Sequence, residues 1–315
     1  MSRSNPGRNI DGMLLLDKSP GMTSNGAVQR IKRLLQARKV GHTGSLDPIA
    51  TGLLPICLGE GTKLSSFLLN TDKRYRVLLR LGQTTRTGDV EGEIMEEKPV
   101  PTLTEASIEG VLERFRGQIA QVPPMHSALK HHGVRLYELA RRGIQVERPA
   151  RQVSIYALRL MDFGPRHLDL DVHCSKGTYI RSLAEDIGET LRCGAHVERL
   201  HRTAVGDLSI AQSIGLEQFE ALADEGRLAM LLPLERMVSA LPAVAVGEEL
   251  AFLLRRGQPV LVCKAPHHGM LRLYSPQDTF LGVGEVMDDG RITPRRLVQH
   301  FAALKSGASI CGADS

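Results

Sequence analysis

Between Gly41 and Pro55 the chain reads GHTGSLDPIATGLLP, which sets one carboxylate, Asp47, in a glycine-punctuated loop ahead of an apolar run. The ring of Pro48 disfavours the α region for the residue before it, so Asp47 belongs to a turn or extended segment rather than to a helix surface. Gly41, Gly44 and Gly52 permit left-handed backbone and the close approach of another molecule, while His42, Thr43, Ser45 and Thr51 supply hydrogen-bonding groups. No second acid stands within the motif, which argues against a glycosidase, whose chemistry uses two carboxyl groups. The same residues also build an ordinary polar turn closed by an Asx-type hydrogen bond. The loop by itself leaves both readings open.

The elements around it are legible from period and punctuation. GMLLLDK reads as a short buried strand, and Thr23 or Ser24 caps a helix with Ala27, Val28, Ile31, Leu34 and Leu35 on one face. Gly52 to Gly59 reads as a strand leading to a helix near Thr62 to Leu69. KRYRVLLRLG alternates, so Tyr75, Val77, Leu79 and Leu81 point one way and Arg74, Arg76 and Arg80 the other. Thr104 to Phe115 is an amphipathic helix, and Val153 to Leu160 and Leu168 to Cys174 are alternating strands. A helix starting at Thr178 carries Ile180, Leu183, Ala184, Ile187 and Leu191 on one side and Arg181 in its first turns. The segment from Pro123 to Pro149 is basic and glycine-punctuated, with a short helix around Leu136 to Arg142, and reads as an insertion or flap. Strands and separate helices without regular βαβ alternation predict an α+β fold. Short strands with Gly and Asp turns at about 240–303 predict a small β-rich second domain. Residues 1–9 and 304–315 are expected to be loose ends, the first of them a basic arm.

With 315 residues and 42% hydrophobic content the chain suits about two globular domains. Its apolar stretches are short and interrupted by charge, and its first residues lack an apolar signal region, so a cytoplasmic, non-membrane protein is expected. Five widely spaced cysteines without a CxxC pair argue against a disulfide framework, and the scattered histidines match no zinc spacing. GEGTK at Gly59 to Lys63 lacks the spacing of a phosphate loop, and Gly282-Val283-Gly284 lacks the rest of a dinucleotide fingerprint. No cofactor, nucleotide or metal is expected. The net charge of +5 is moderate, but it gathers locally. Arg30, Lys32, Arg33, Arg38 and Lys39 occur without an intervening acid, Lys73, Arg74 and Arg76 form a second cluster, and the segment from Lys130 to Arg151 is a third. Such clusters point to a polyanion partner, with nucleic acid as the working idea.

Four segments in order, GHTGSLDPIATGLLP, DKRYRVLLRLGQTT, CSKGTYIRSLAEDIG and HRTAVG, resemble the motifs of bacterial tRNA pseudouridine synthases of the TruB type. The resemblance covers about Gly12 to Gly206, and FLGVGEVMDDGRITPRRLV resembles the small PUA RNA-binding module of such enzymes. It implies a mainly antiparallel mixed sheet in a catalytic domain at 10–235, an RNA-clamping insertion at 123–150, and a PUA-like domain at 240–303. The activity implied is isomerisation of uridine 55 in the tRNA T loop, without cofactor, by a monomer acting on the T-arm stem-loop. By position, Asp47 matches the catalytic aspartate, Arg181 the arginine expected to pair with it, and Tyr75 the active-site tyrosine expected to stack on the base. His42 resembles the histidine that fills the T loop when bases are extruded, Tyr179 a pocket residue, and Leu200 an apolar contact to uracil. Where many relatives read K-P-x-G and Y-S-A-x-K, this chain has Lys18-Ser19-Pro20-Gly21 and His126-Ser127-Ala128-Leu129-Lys130. A non-catalytic tRNA-binding or folding module and a guide-RNA-dependent synthase acting on ribosomal RNA are the alternatives.

Overall fold

The computed structural model describes residues 7–127, 129–263 and 265–299. The expected tail at 304–315 and residues 1–6 of the expected arm lie outside the described residues. Arg8 is held: its backbone bonds Gln36 and Arg38, and its guanidinium reaches Asp224 at 2.7 Å.

A ten-stranded mixed sheet carries the first part of the chain. Along its main path run Ile214–Gly215, Gly12–Lys18, Thr51–Leu58, Ala195–Val205, Lys73–Leu81, His167–Cys174, Arg151–Gly164 and Gly117–Gln121. Pairings are antiparallel except Gly12–Lys18 with Ile214–Gly215 and Thr51–Leu58 with Ala195–Val205. The α+β expectation and its mainly antiparallel sheet hold.

The strand Gly12–Lys18 is apolar throughout because both of its faces are covered. Leu14 and Leu16 join Ala27, Val28 and Ile31 of the helix Ser24–Leu34 in one core, together with Val77, Leu79, Leu183 and Ile187. Met13 and Leu15 pack on the other side with Leu53, Cys57, Leu64 and Leu68. Thr23 caps that first helix by accepting the Gly26 N–H, and Thr104 caps the helix Glu105–Glu113.

Two expectations shift. The helix expected from Thr178 is Ile180–Thr190, because Thr178 donates its hydroxyl to the Ser175 carbonyl and Tyr179 is the extended N-cap. The strand Ala195–Val205 has no counterpart in the pattern reading, since buried His196 and Arg202 disguise its inward row.

A second, five-stranded sheet is ordered Ala243–Ala245, Gly269–Tyr274, Phe280–Val286, Arg291–Leu297 and Val260–Leu261. It packs Leu271, Leu281 and Ile292 against Ala251 and Leu254 of the helix Glu248–Arg255. Its Phe280 and Val283, with Val298 just past the strand Arg291–Leu297, join the cluster of Met13 and Leu15, so the two sheets share an apolar contact. None of the described helices is long and apolar enough to cross a membrane.

Candidate active site

The Asp47 loop joins the short strand Val40–His42 to Thr51–Leu58 and is fastened almost atom by atom. Ser24 Oγ donates to the Leu46 carbonyl at 3.0 Å and accepts the Leu46 N–H at 2.7 Å. Leu46 and Ala50 bury their side chains, which sinks the loop into the core on both sides of the carboxylate. The Gly21 N–H donates to the Pro48 carbonyl at 2.9 Å, and the Ala50 N–H closes a turn on the Asp47 carbonyl. Lys18 lies beneath with 1% of its surface exposed, donating Nζ to the carbonyls of Ser19, Met22 and Pro48. Burial lowers the Lys18 ammonium to about 8, against the attraction of Asp47.

Arg181 supplies the cation. Its Nε stands 2.9 Å from Asp47 Oδ2, and its Nη1 stands 3.4 Å from Asp89 Oδ2. The same guanidinium donates to the Thr87 carbonyl at 2.8 Å and to the His126 carbonyl at 2.7 Å. A planar fork with four acceptors around it has little orientational freedom. Asp89 is buried and is fixed in turn by the Thr87 hydroxyl at 2.5 Å and the Glu91 N–H at 3.2 Å. Gly88, at φ +72°, supplies the left-handed backbone that brings the Asp89 turn against Glu185 and Arg181 of the helix.

Asp47 keeps 38% of its side-chain surface open while Arg181 keeps 7%. The nucleophile candidate is thus accessible and its partner is enclosed. Desolvation raises the Asp47 carboxyl above the ordinary aspartate value, and Asp89 adds to the rise, while Arg181 and Lys18 oppose it. Arg181 therefore pairs with Asp47 as expected but offsets only part of the cost of its burial.

Tyr75 is 9% exposed and lies on the inward row of its strand, as the alternation predicts. Burial raises its phenol, the charge of Arg202 opposes that, and Asp47 raises it further. Tyr179 is half-buried at the helix N-cap. Its backbone is gripped by Gln121, whose Oε1 accepts the Tyr179 N–H at 2.9 Å and whose Nε2 donates to the Tyr179 carbonyl at 3.1 Å. Its hydroxyl is also raised by burial and by Asp47. His42 opens the loop and accepts the Gly44 N–H on Nδ1 at 3.2 Å. Burial and then Arg202 lower its imidazole, which favours the neutral ring. Leu200 is buried in the main core opposite Val77 on the neighbouring strand.

The structure thus pairs Arg181 with the Asp47 carboxylate and brings Tyr75 and Tyr179 within electrostatic reach of it, with His42 at the loop's start and Leu200 in the adjoining core. Lys18, Asp89, Gln121 and Arg202 escaped the sequence reading. A lysine closing an apolar strand was the signal for Lys18, whereas Asp89 and Gln121 look like ordinary turn and strand-end polar residues.

The chain matches the model of the TruB family pseudouridylate synthase N-terminal domain over residues 32–180. Residues 181–239 match the tRNA pseudouridylate synthase B C-terminal domain, and residues 242–298 match the C-terminal model of pseudouridine synthase II TruB. It is 54% identical over 296 residues to tRNA pseudouridine synthase B of Coxiella burnetii, covering 93% of this chain and 96% of that protein. The protein of the same name from Nitrosococcus oceani is 54% identical over 295 residues, with the same coverage of 93% and 96%. The chain belongs to the TruB family of pseudouridine synthases. Among solved structures, a Cbf5–Nop10–Gar1 complex contains a chain that superposes with a TM-score of 0.68 at 26% identity, covering 88% of this chain and 78% of that one. A chain of an H/ACA ribonucleoprotein superposes with a TM-score of 0.70 at 22% identity, over 95% of this chain and 92% of that one, which shows shared fold. The TruB-family fold accordingly accounts for the mixed sheet with a small β-rich domain behind it.

The basic clusters divide once placed. Lys73 is buried, donating Nζ to the carbonyls of Leu68, Leu69 and Thr71, so it caps a helix end and is no surface charge. Arg76 pairs with Asp169 and Arg30 with Glu220. Lys32, Arg33, Arg38 and Lys39 are exposed. The Pro123 to Pro149 segment folds as a small hairpin, Lys130–His131 with Val134–Arg135, followed by the helix Leu136–Arg141. Arg148 donates to the Pro123 carbonyl at 2.9 Å and so ties the segment's ends together.

Proposed function

We propose that this chain isomerises uridine 55 in the T loop of tRNA to pseudouridine, with Asp47 as the carboxylate nucleophile. The reaction breaks the C1′–N1 bond of the nucleotide and joins C1′ to C5. The C5 proton is released and N1 takes one up, so no oxidant, reductant or donated group enters. The observation that carries this reading is the open Asp47 carboxylate held at 2.9 Å by an enclosed arginine. Arg181 favours the ionised form that nucleophilic attack requires and fixes the direction from which Asp47 meets the nucleotide.

The remaining residues serve the base. Tyr75 and Tyr179 offer rings to a uracil taken out of its stack, which proteins commonly receive on aromatic side chains. Extrusion costs a few kcal/mol. In this reading His42 fills the vacated space in the T loop, and Leu200 supports the apolar wall. The exposed arginines and lysines at residues 32–39, the 123–150 insertion as RNA clamp, and a PUA-like domain at 240–303 supply the binding energy that offsets extrusion. The enzyme acts as a monomer on the T arm.

Release of tritium from C5 tests the assignment, because that hydrogen leaves only when C5 bonds to C1′. Wild-type protein releases tritium from C5-labelled tRNA and from a bare T-arm stem-loop, whereas Asp47→Asn binds both and releases none. Turnover by Asp47→Asn refutes the nucleophile. Tight binding without turnover by the wild type establishes instead a tRNA-binding or folding module.

A further inference from the structure

Arg202 heads the fully buried side chains by size, with 1% of its surface exposed. Among the described residues no carboxylate lies within salt-bridge distance of it. A buried, unpaired guanidinium is costly unless its donors are used, and for packing alone an apolar chain of similar volume serves as well. Its donors go to the Asp47 loop. Nε donates to the Leu53 carbonyl at 2.8 Å and Nη2 to the Gly44 carbonyl at 3.1 Å. Gly44 precedes Asp47 and Leu53 follows it, so one planar group bridges the two ends of the loop.

The backbone explains how the side chain comes to lie there. Thr51–Leu58 and Ala195–Val205 pair in parallel only at Thr51 with His201 and Gly52 with Arg202. Gly52, at φ +97°, brings its Cα so close that a Cβ would stand 2.4 Å from the Arg202 carbonyl oxygen. Past that point the parallel pairing ends, and the guanidinium takes up the Leu53 carbonyl in place of a neighbouring strand. On its other edge Arg202 faces Tyr75, and the register shifts between Arg202 and Ala204, a bulge of the kind that re-aims a side chain. The charge of the guanidinium also reaches the Tyr75 phenol and opposes the rise that burial gives it.

We propose that Arg202 is a positioning residue for the reaction: a two-ended clasp that closes the base of the Asp47 loop and ties it to the strand that carries Tyr75. The proposal rests on Asp47 being the nucleophile. Reacting groups displaced by 1 Å lose on the order of 10²-fold in rate, so a loosened clasp acts on the chemical step and leaves RNA affinity in place.

The test uses full-length Arg202→Met, which keeps volume without charge or donors, and Arg202→Lys, which keeps charge without the span between the two carbonyls. Single-turnover tritium release, tRNA affinity and thermal unfolding are measured for both beside the wild type. The expected result is a rate constant lowered by about 10²-fold in each, with tRNA Kd within about 3-fold of wild type. An unchanged rate in folded Arg202→Met, a loss confined to Kd, or full rescue by Arg202→Lys overturns the clasp. Should Arg202→Met fail to fold, Arg202→Gln takes its place, and failure of both to fold overturns the proposal by assigning Arg202 to stability. Absence of tritium release from the wild type refutes the enzyme reading itself, which separates the two failures.

Discussion

Removing Arg181 tests the electrostatic frame of the site, because two carboxylates share its guanidinium. Asp47 is partly open to solvent, but the Asp89 side chain is only 5% exposed. Arg181→Met therefore strands a buried carboxylate whose remaining partners are the Thr87 hydroxyl and the Glu91 N–H. Breaking such a buried pair from one side costs about 3–5 kcal/mol, a large share of a stability of roughly 5–15 kcal/mol. Adding Asp89→Asn removes the stranded charge. The double variant is expected to be more stable than the sum of the single changes by about 1–3 kcal/mol. The carbonyls of Thr87 and His126 lose their donor in either case, so recovery is incomplete. Activity responds differently. The charge-assisted bond to Asp47 is worth about 1.5–3 kcal/mol, which corresponds to a fall of about 10- to 150-fold in kcat. The 38% exposure of Asp47 places the expected fall toward the lower end through solvent screening. Asp89→Asn does not restore it. Urea unfolding and tritium release on the four proteins of the cycle provide the measurement. Additive stabilities, or activity that returns with stability in the double variant, refute the view that Arg181 serves the fold through Asp89 and the reaction through Asp47.

Other outcomes follow from the same geometry. Since desolvation raises the Asp47 carboxyl and the proposed nucleophilic role needs it ionised, single-turnover rates on tRNA are expected to fall with acidity through a pH above the ordinary aspartate value of 3.8; a rate that stays flat down to that value contradicts the desolvated site. A raised carboxyl in the fold stabilises the protein at low pH, an effect lost as pH rises through its folded value. Asp47→Asn is therefore more stable than wild type at neutral pH, with the advantage shrinking in acid, as denaturant titrations at several pH values will show. Lys18, lowered from 10.5 to about 8, makes the folded chain shed a proton before the unfolded chain does. Stability gains a rising contribution between those values, and Lys18→Met is expected to flatten that part of the curve. Gly52→Ala forces a Cβ to 2.4 Å from the Arg202 carbonyl at φ +97°; strain of about 1–3 kcal/mol plus the clash is expected as a lowered Tm.

The sequence disclosed what depends on local pattern. Asp47 could be set in a turn from Pro48 and its glycines, Tyr75 on an inward row from strict alternation, and Arg181 at a helix start from the apolar stripe that follows. Their meeting depends on strand order, which local pattern does not carry: Lys73–Leu81 lies between His167–Cys174 and Ala195–Val205. Lys73 shows the same limit. Its charge counted toward a surface cluster, yet it points inward on the row of Tyr75 and Val77 to cap a helix end. Arg202 and His196 hid a central strand because buried polar residues break the apolar period that identifies strands.

Those inward cations also explain how an accessible carboxylate is held in place. Lys18 and Arg202 could each have been placed against Asp47 as a salt bridge. Instead Lys18 solvates Ser19, Met22 and Pro48, and Arg202 solvates Gly44 and Leu53, all of them backbone carbonyls in or beside the Asp47 loop. Among the described residues Arg181 alone makes a direct ion pair with Asp47. A carboxylate enclosed by three direct cations would be strongly stabilised and poorly nucleophilic, because the energy of its lone pairs would be spent in the ground state. One direct partner with two cations turned to the backbone fixes the loop's shape while leaving the carboxyl above its ordinary value. The positive charge around Asp47 thus serves mainly to define where the oxygen atoms stand, and chiefly through Arg181, with a smaller share from Lys18, to set how readily they ionise.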